Sequence, residues 1–283
     1  MSDLFDFSAK PSDFAVMGNP VAHSRSPQIH QLFADQCDVN LNYSRIQVDH
    51  GGFAQAVSHF QAHGGAGLNI TVPFKMEAWQ LCDDHPNTLS DRARLAQSVN
   101  TLKFSPDGSI FGDNTDGKGL VSDLQENLAF SIRAKQILIV GAGGAVRGVV
   151  GPILDCAPDR VTIANRTVEK AHQLAADFDQ NVDACSLNAT CTNGYDLIIN
   201  GTSSSLNDTL PGIPDHSVKA NTVVYDMMYA AQPTIFMKWA RALGARDAWD
   251  GLGMLVEQAA ESFYIWHGKR PHGGTVIEAL RKV

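Results

Sequence analysis

The stretch KQILIVGAGGAVR, residues 135–147, joins a short apolar run to a glycine-rich turn. The apolar run, Ile137–Val140, is rich in β-branched residues and stops at Gly141, which predicts a buried strand that ends in a tight turn. Residues 145–154 carry apolar side chains at helical spacing, so the glycines would lie at the N-terminus of a helix. The stretch therefore predicts a strand, a turn and a helix whose backbone N–H groups can bind a pyrophosphate.

An ordinary glycine-rich turn between a strand and a helix is the alternative. The pattern that binds dinucleotides is G-x-G-x-x-G/A. Val146 occupies the sixth position of this pattern, where a small residue is usual. The motif by itself leaves both interpretations open.

Length and composition exclude several classes of protein. A chain of 283 residues is long enough for two domains. With 44% hydrophobic and 18% charged residues, the composition is that of a folded protein. The net charge of -8 argues against a general nucleic-acid-binding protein.

The N-terminus and the cysteines indicate the compartment. The first residues, MSDLFDFSAK, lack the basic and apolar regions of a secretory signal. The five cysteines never occur as C-x-x-C, so neither a disulfide framework nor a zinc site is indicated. We therefore expect a cytoplasmic protein with no membrane partner, no nucleic-acid partner and no metal.

The rest of the chain alternates between short apolar runs and amphipathic segments. Strands are predicted at 14–18, 43–49, 68–73, 161–164, 196–200 and 223–226. Helices are predicted at 51–64, 233–244 and 254–267. Residues 98–104 and 109–112 flank a Pro-Asp-Gly turn and are typical of a hairpin. This alternation predicts an α/β fold, with domain boundaries in loops near Asp116 and Gly251.

Ser24 and Ser26 precede the first predicted helix, whose first residue is Pro27. Hydroxyls at a helix N-terminus suit a carboxylate ligand, because the partial positive charge of the terminus attracts anions. Alternatively, Ser26 only caps the helix and Ser24 is solvated. Spacing alone favours the capping interpretation.

Three polar residues surround the end of the predicted strand 68–73. Asn69 and Thr71 share one face of that strand, because strand side chains alternate. Lys75 follows at the start of a helix, where the macrodipole opposes a cation. Either a functional role or a solvated lysine accounts for this placement.

A polar loop, Asp113-Asn114-Thr115-Asp116, follows the predicted hairpin and ends at Gly117. Its two acids and an asparagine could bind a metal, but the wider spacing of an EF-hand is missing. A loop beside a catalytic cleft is the better interpretation.

The tip of the predicted strand 161–164 indicates which dinucleotide is bound. In NAD-binding folds this position carries an acid that binds the ribose hydroxyls. Here the sequence is Asn165-Arg166-Thr167. Because a guanidinium can pair with a 2′-phosphate and stack on adenine, we expect NADP as the cofactor.

Eight motifs resemble those of the bacterial shikimate dehydrogenases and follow the same order. They are GNPVAHSRSP (18–27), NITVPFK (69–75), SVNTL (98–102), GDNTDG (112–117), GAGGAVRG (141–148), NRT (165–167), YDMMY (225–229) and GLGMLVEQAA (251–260). The resemblance implies an α/β fold of two domains. One is an α/β substrate domain with a mostly parallel sheet, residues 1–115 completed by 252–283. The other is a Rossmann-like NADP-binding domain, residues 116–251.

The resemblance also implies roles for individual residues. Lys75 and Asp116 match the catalytic pair of the family. The implied substrate-binding residues are Ser24, Ser26, Asn69, Thr71, Asn100, Tyr229 and Gln258. The implied cofactor-binding residues are Gly141, Ala142, Gly143, Gly144, Ala145, Asn165, Arg166, Thr167, Thr202, Met227 and Gly251.

The implied reaction is the reversible reduction of 3-dehydroshikimate to shikimate by NADPH, a step of aromatic amino-acid biosynthesis. The carbonyl receives a hydride and a proton, and an ammonium such as Lys75 can stabilise the negative charge that develops on its oxygen. Asp116 would orient Lys75 and bind a substrate hydroxyl. The expected partners are this small-molecule substrate and NADPH, bound to a monomer or a homodimer.

Two other functions remain open. A quinate/shikimate dehydrogenase shares the substrate motifs and often uses NAD, but Arg166 argues against NAD. A regulatory module would bind NADPH without turnover, although the presence of both Lys75 and Asp116 argues against it. One small departure from the family pattern is Gly201, where alanine is expected in many relatives.

Overall fold

The computed structural model describes residues 11–83, 88–178, 181–190 and 193–282. The first ten residues and Cys191, one of the five cysteines counted above, lie outside these ranges. The strands are β1 Ser12–Gly18, β2 Leu41–Gln47, β3 Gly65–Ile70, β4 Thr101–Phe104, β5 Ile110–Asp113, β6 Gln136–Val140, β7 Arg160–Asn165, β8 Val182–Ser186, β9 Leu197–Asn200, β10 Val223–Asp226 and β11 Asp247–Asp250. The α-helices are α1 Ser26–Cys37, α2 Phe53–Ala62, α3 Lys75–Asp83, α4 Asp91–Ala96, α5 Asp116–Ser122, α6 Gly144–Leu154, α7 Val168–Ala176, α8 Ile235–Ala242, α9 Leu252–His267 and α10 Gly273–Arg281.

The chain forms two compact units. The first comprises the described residues up to Ser90, with Ser98–Asp113 and Ala259–His272. The second comprises Asp91–Gln97, Asn114–Gln258 and the described residues from Gly273 onward. The predicted division gave residues 252–258 and those from Gly273 onward to the first domain, whereas the compact units give them to the second. The exact domain boundaries stay a prediction.

The first unit is built on a five-stranded sheet with the order β2-β1-β3-β4-β5. Strands β1, β2 and β3 are parallel, and β4 and β5 are added antiparallel. The predicted hairpin between residues 98 and 112 is confirmed as the β4–β5 pair. Because parallel strands require crossover connections, α1 links the neighbouring strands β1 and β2, and α2 links β2 to β3 on the other side of β1.

The second unit is built on a six-stranded sheet with the order β11-β10-β9-β6-β7-β8. Every neighbouring pair in this sheet is parallel. This is the Rossmann order, in which the strand sequence reverses between the first and fourth strands. Here that reversal lies between β6 and β9, so the predicted dinucleotide-binding architecture is confirmed.

The central strands of this sheet are buried on both faces. Ile137 and Ile139 belong to the core on one face, whereas Leu138 and Val140 belong to the core on the other. All four side chains are completely buried. A strand covered on both sides needs apolar residues at every position, which explains the uninterrupted apolar run of the opening stretch.

Within the described ranges, no helix is long and apolar enough to cross a membrane.

A buried histidine lies in the core of the first unit. His30 on α1 stacks on the Tyr43 ring at a centroid distance of 4.3 Å. Its Nε2 lies 3.1 Å from Asn69 Oδ1, and its Nδ1 has no hydrogen-bond partner among the described residues. Burial disfavours the charged imidazolium and lowers the pKa of His30 to about 3, although the bond to Asn69 opposes the shift.

We expect the stability of the protein to fall as the pH drops below about 6.5. The folded pKa of His30 lies below the unfolded value, so its contribution is complete above pH 6.5 and is lost progressively toward pH 3. At pH 5 the expected loss is about 2 kcal/mol. Urea unfolding at pH 7.5 and pH 5 measures this loss.

The variant His30→Gln tests the assignment of this pH dependence. Glutamine can keep a hydrogen bond to Asn69 but does not titrate, so its stability should change less between the two pH values. The exposed His172 on α7 provides the matched control His172→Gln. An equal pH dependence in His30→Gln and wild-type protein would contradict the assignment to His30.

Candidate active site

The glycine turn after β6 leaves room for a ligand at the start of α6. Gly141 has a φ of +114°, which an L side chain rarely adopts. Gly143 is the N-cap of α6 and provides no side-chain cap. A Cβ built on Gly143 or Gly144 would meet no other heavy atom within 4 Å. The first N–H groups of the helix lack intrahelical partners, so this open turn fits the pyrophosphate of a dinucleotide.

The other predicted cofactor-binding residues follow the neighbouring strands of the same sheet. Thr202 comes two residues after β9, Met227 follows β10 and Gly251 follows β11. A Cβ on Gly251 would lie 2.2 Å from the carbonyl oxygen of Met227, so the two turns approach too closely for any side chain there. Because all the strands are parallel, these turns meet at the carboxyl edge of the sheet, where open α/β sheets bind ligands.

The tip of β7 carries the residues predicted to read the 2′-phosphate. Asn165 is the last residue of β7, and its Nδ2 donates to the carbonyl oxygen of Thr167 at 2.8 Å. Arg166, between them, is exposed. The asparagine therefore closes the turn, and the exposed Arg166 is accessible to a phosphate ligand.

Asp226, the last residue of β10, supports the candidate cofactor-binding turns, a role that the sequence did not predict. Its carboxylate is completely buried. Oδ1 accepts from Asn200 Nδ2 and from the backbone N of Met228, both at 3.1 Å. Oδ2 accepts from the hydroxyls of Ser205 at 2.6 Å and Thr234 at 2.7 Å.

Through these bonds Asp226 holds the turn after β9. Asn200, bonded to Asp226, accepts at its Oδ1 from both the backbone N and the hydroxyl of Thr202, at 3.1 Å and 2.7 Å. Asp226 therefore links the turns that carry Thr202 and Met227. The sequence feature that could have indicated this role is an acidic residue directly after an apolar run, at the carboxyl end of a predicted strand.

Asp116 is the first residue of α5 and is buried. Its backbone N donates to Asn114 Oδ1 at 3.1 Å. A Cβ on Gly117 would lie 2.4 Å from the carbonyl oxygen of Gly148 on α6, and one on Gly119 would lie 2.5 Å from the backbone N of Gln258. The two glycines let α5 pack directly on its neighbours, which fixes the position of Asp116.

Two predicted substrate-binding residues belong to the same unit as Asp116. Gln258 on α9 donates from Nε2 to the carbonyl oxygen of Leu255 at 2.9 Å. Its Oε1 accepts a weak hydrogen bond of 3.4 Å from the hydroxyl of Thr115. Tyr229, after β10, is 37% exposed.

The first unit carries the serine pair. Ser24 Oγ lies 3.1 Å from Ser26 Oγ and 3.3 Å from the backbone N of Ser26. Arg45 from β2 donates from Nη2 to the carbonyl oxygen of Ser24 at 2.6 Å. The N-cap of α1 is Arg25, without a side-chain cap bond, so the expectation that Ser26 caps the helix is wrong. The serine hydroxyls are instead oriented by each other.

Asn69 is buried at the end of β3 and uses both ends of its amide. Oδ1 accepts from the Tyr43 hydroxyl at 2.7 Å. Nδ2 donates to Ser262 Oγ at 3.0 Å and to the carbonyl oxygen of Asn100 at 3.2 Å. Asn69 and Asn100 are therefore brought together, and both are buried.

Thr71 lies beyond the strand that was expected to contain it. β3 ends at Ile70 rather than at Pro73, so strand alternation does not place Thr71 on the face of Asn69. The chain instead turns, with the backbone N of Phe74 donating to the carbonyl oxygen of Thr71 at 3.0 Å. This turn delivers Lys75 as the first residue of α3, half-buried, so the expected helix start at Lys75 is confirmed.

The candidate residues are thus distributed over both units. The first unit holds Lys75 with Ser24, Ser26, Asn69, Thr71 and Asn100. The second holds Asp116, Tyr229, Gln258 and the whole predicted cofactor-binding set. In the parts of the chain that the structure describes, no group of three or more His, Cys, Asp and Glu side chains is suited to a metal ion.

Three family models match consecutive parts of the chain. They are the shikimate dehydrogenase substrate binding domain at residues 16–102, shikimate / quinate 5-dehydrogenase at residues 123–210, and the shikimate 5′-dehydrogenase C-terminal domain at residues 251–281. The order of the three matches follows the order of the sequence motifs.

Individual relatives match nearly the whole chain. The shikimate dehydrogenase (NADP(+)) of Hahella chejuensis is 49% identical over 270 residues, covering 95% of this chain and 98% of that protein. The crystal structure of an Ael1 enzyme from Pseudomonas putida has a TM-score of 0.90 at 39% identity, covering 95% and 98% of the two chains. Shikimate 5-dehydrogenase from Thermus thermophilus, in complex with NADP(H) and shikimate, has a TM-score of 0.84 at 27% identity, covering 96% and 99%. The chain belongs to the shikimate dehydrogenase family.

Proposed function

We propose that the protein catalyses the reversible NADPH-dependent reduction of 3-dehydroshikimate to shikimate. The observation that carries this proposal is the 49% identity to an NADP(+) shikimate dehydrogenase over 95% of the chain. The residue types at the candidate site agree with the reaction, since the chain has an ammonium, a carboxylate and a dinucleotide-binding turn at the positions that match the family.

The second unit would hold the cofactor. The N–H groups at the start of α6 would bind the pyrophosphate, and the tip of β7 would bind the 2′-phosphate through Arg166. When bound, the reduced nicotinamide supplies a hydride for the carbonyl carbon of the substrate. Gly251 and Met227, at the ends of neighbouring strands, would line the nicotinamide end.

Lys75 and Asp116 would act on the substrate. The Lys75 ammonium would donate to the carbonyl oxygen and stabilise the charge that develops there as the carbon is reduced. Asp116, an acceptor when ionised, would bind a substrate hydroxyl. The serine pair would bind the substrate carboxylate through its hydroxyls and the N-terminus of α1.

Absorbance of the nicotinamide tests this function. Purified protein with 3-dehydroshikimate and NADPH should consume NADPH, and shikimate with NADP⁺ should form it. No consumption with 3-dehydroshikimate, in protein shown to be folded, would contradict the proposal.

Arg166→Ala is expected to raise the KM for NADP⁺ by about tenfold or more, because it removes a charge-assisted contact to the 2′-phosphate. The KM for NAD⁺ should remain within about twofold of wild type, since NAD⁺ lacks this phosphate. Steady-state kinetics with each cofactor measure both values.

The exposed Arg160 at the start of β7, paired with Asp183 at 2.6 Å, provides the matched control Arg160→Ala. Arg160 lies at the opposite end of the strand from Asn165, so this variant should keep both KM values. Equal losses for the two cofactors in Arg166→Ala would show that Arg166 does not read the phosphate.

A further inference from the structure

Two residues at the dinucleotide-binding turns depart from the usual patterns, and the structure brings these departures together. Val146 occupies the sixth position of the glycine motif, where a small residue is usual. Gly201 follows β9, where alanine was expected. A Cβ built on Gly201 would lie 2.4 Å from Val146 Cγ2 and 3.3 Å from Met227 Sδ. The valine methyl therefore occupies the space that an alanine at position 201 would need.

The position of this contact connects it with the cofactor site. Val146 lies in the first turn of α6 and is completely buried. Gly201 begins the turn that carries Thr202, and β6 and β9 are the neighbouring strands at which the strand order reverses. A Cβ on Gly141 would also lie 3.3 Å from Val146 Cγ2. Val146 thus packs between the two turns that follow β6 and β9.

We propose that Val146 and Gly201 form one interlocking contact that positions both turns, so that the effect of changing one residue on NADPH affinity depends on which residue stands at the other position. A large residue at 146 is compatible with dinucleotide binding because the absence of a side chain at 201 leaves room for one of the valine methyl groups. Protein interiors are close-packed, so a methyl group added at 201 must displace the Val146 side chain or one of the two turns. The effect on affinity rests on the proposed NADPH-binding function, whereas the packing of the pair does not.

The two residues are positioning residues, and a double-mutant cycle tests their coupling. Gly201→Ala alone should raise the NADPH dissociation constant about tenfold and lower the Tm, because the added methyl group overlaps Val146. Val146→Ala in the Gly201→Ala background should bring the dissociation constant back to within about threefold of wild type. NADPH fluorescence gives the affinities, and thermal unfolding without cofactor gives the Tm.

Val150→Ala in the Gly201→Ala background is the matched control. Val150 lies one turn further along α6, is completely buried in the same core and loses the same two methyl groups. The Val150→Ala change should leave the NADPH dissociation constant of the Gly201→Ala variant about tenfold above the wild-type value. Rescue by both valine substitutions would mean that general loosening of α6, and not the contact with position 201, restores binding.

The readouts separate the proposed contact from the proposed function. If wild-type protein binds no NADPH, the proposed function fails, and the cofactor-free Tm values still decide whether the pair is coupled in packing. The proposal would be overturned if Gly201→Ala kept the wild-type NADPH affinity and Tm. It would also be overturned if the losses of affinity and Tm in Val146→Ala/Gly201→Ala equalled the sum of the losses in the two single variants. If Gly201→Ala is not recovered in folded form, the two double variants decide. Folded protein from Val146→Ala/Gly201→Ala but not from Val150→Ala/Gly201→Ala supports the proposal. Folded protein from Val150→Ala/Gly201→Ala but not from Val146→Ala/Gly201→Ala overturns it.

Discussion

Replacing Lys75 with methionine is expected to lower kcat by about three orders of magnitude. Methionine keeps much of the side-chain length but removes the ammonium that would stabilise charge on the carbonyl oxygen. Because Lys75 is half-buried at the first position of α3, the fold should tolerate this change. Single-turnover and steady-state rates of shikimate oxidation measure the effect.

The control for this variant is Lys238→Met, which removes an exposed lysine from α8. We expect its kcat to stay within about twofold of wild type. Lys75→Met should also keep the wild-type Tm and NADPH affinity. A kcat for Lys75→Met close to that of the control would exclude a role of Lys75 in stabilising the transition state.

Asp226→Ala is expected to lower the free energy of unfolding by about 4 kcal/mol. The change leaves four donors without their acceptor, the buried ones of Asn200 and Thr234 and the half-buried ones of Ser205 and Met228. Some of them can bond to water or rotate, so the cost is less than four full desolvation penalties. Urea unfolding measures the loss, and NADPH affinity should fall with it because Thr202 loses its support.

Asp226→Asn provides a graded comparison. Asparagine keeps one acceptor oxygen, and the hydroxyls of Ser205 and Thr234 can rotate to accept from its amide, so a smaller loss is expected. Asp155→Ala, which removes an exposed acid at the end of α6, should change stability by less than about 0.5 kcal/mol. A loss in Asp226→Ala as small as in Asp155→Ala would contradict the supporting role of Asp226.

The parts of the fold that could be predicted are those with strong local signals. The run 137–140 is apolar at every position because β6 is covered on both faces. The glycines after it mark the turn, and similar apolar or alternating runs predicted the strands β1, β2, β3, β7, β9 and β10. In contrast, β8 and β11 were not predicted. These two strands lie at the edges of the sheet. Their sequences, VDACS in β8 and DAWD in β11, contain no run of apolar residues that would indicate a strand.

The candidate site was predictable in its residue types but not in its contacts. The role of Asp226 depends on donors between residues 200 and 234 that only the folded sheet brings together. Thr71 lies outside β3 because a turn begins immediately after Ile70, and strand alternation cannot anticipate such an end. The Val146–Gly201 contact joins residues that each looked like an isolated departure from a motif.

Steady-state kinetics with four combinations of substrate and cofactor test the central claim most directly. Shikimate and quinate are each oxidised with NADP⁺ and with NAD⁺, and kcat/KM is compared across the four combinations, because this ratio measures discrimination. We expect the highest kcat/KM for shikimate with NADP⁺, since Arg166 stands where an NAD-binding protein carries an acid. A higher kcat/KM for quinate with NAD⁺ would contradict an NADP-dependent shikimate dehydrogenase.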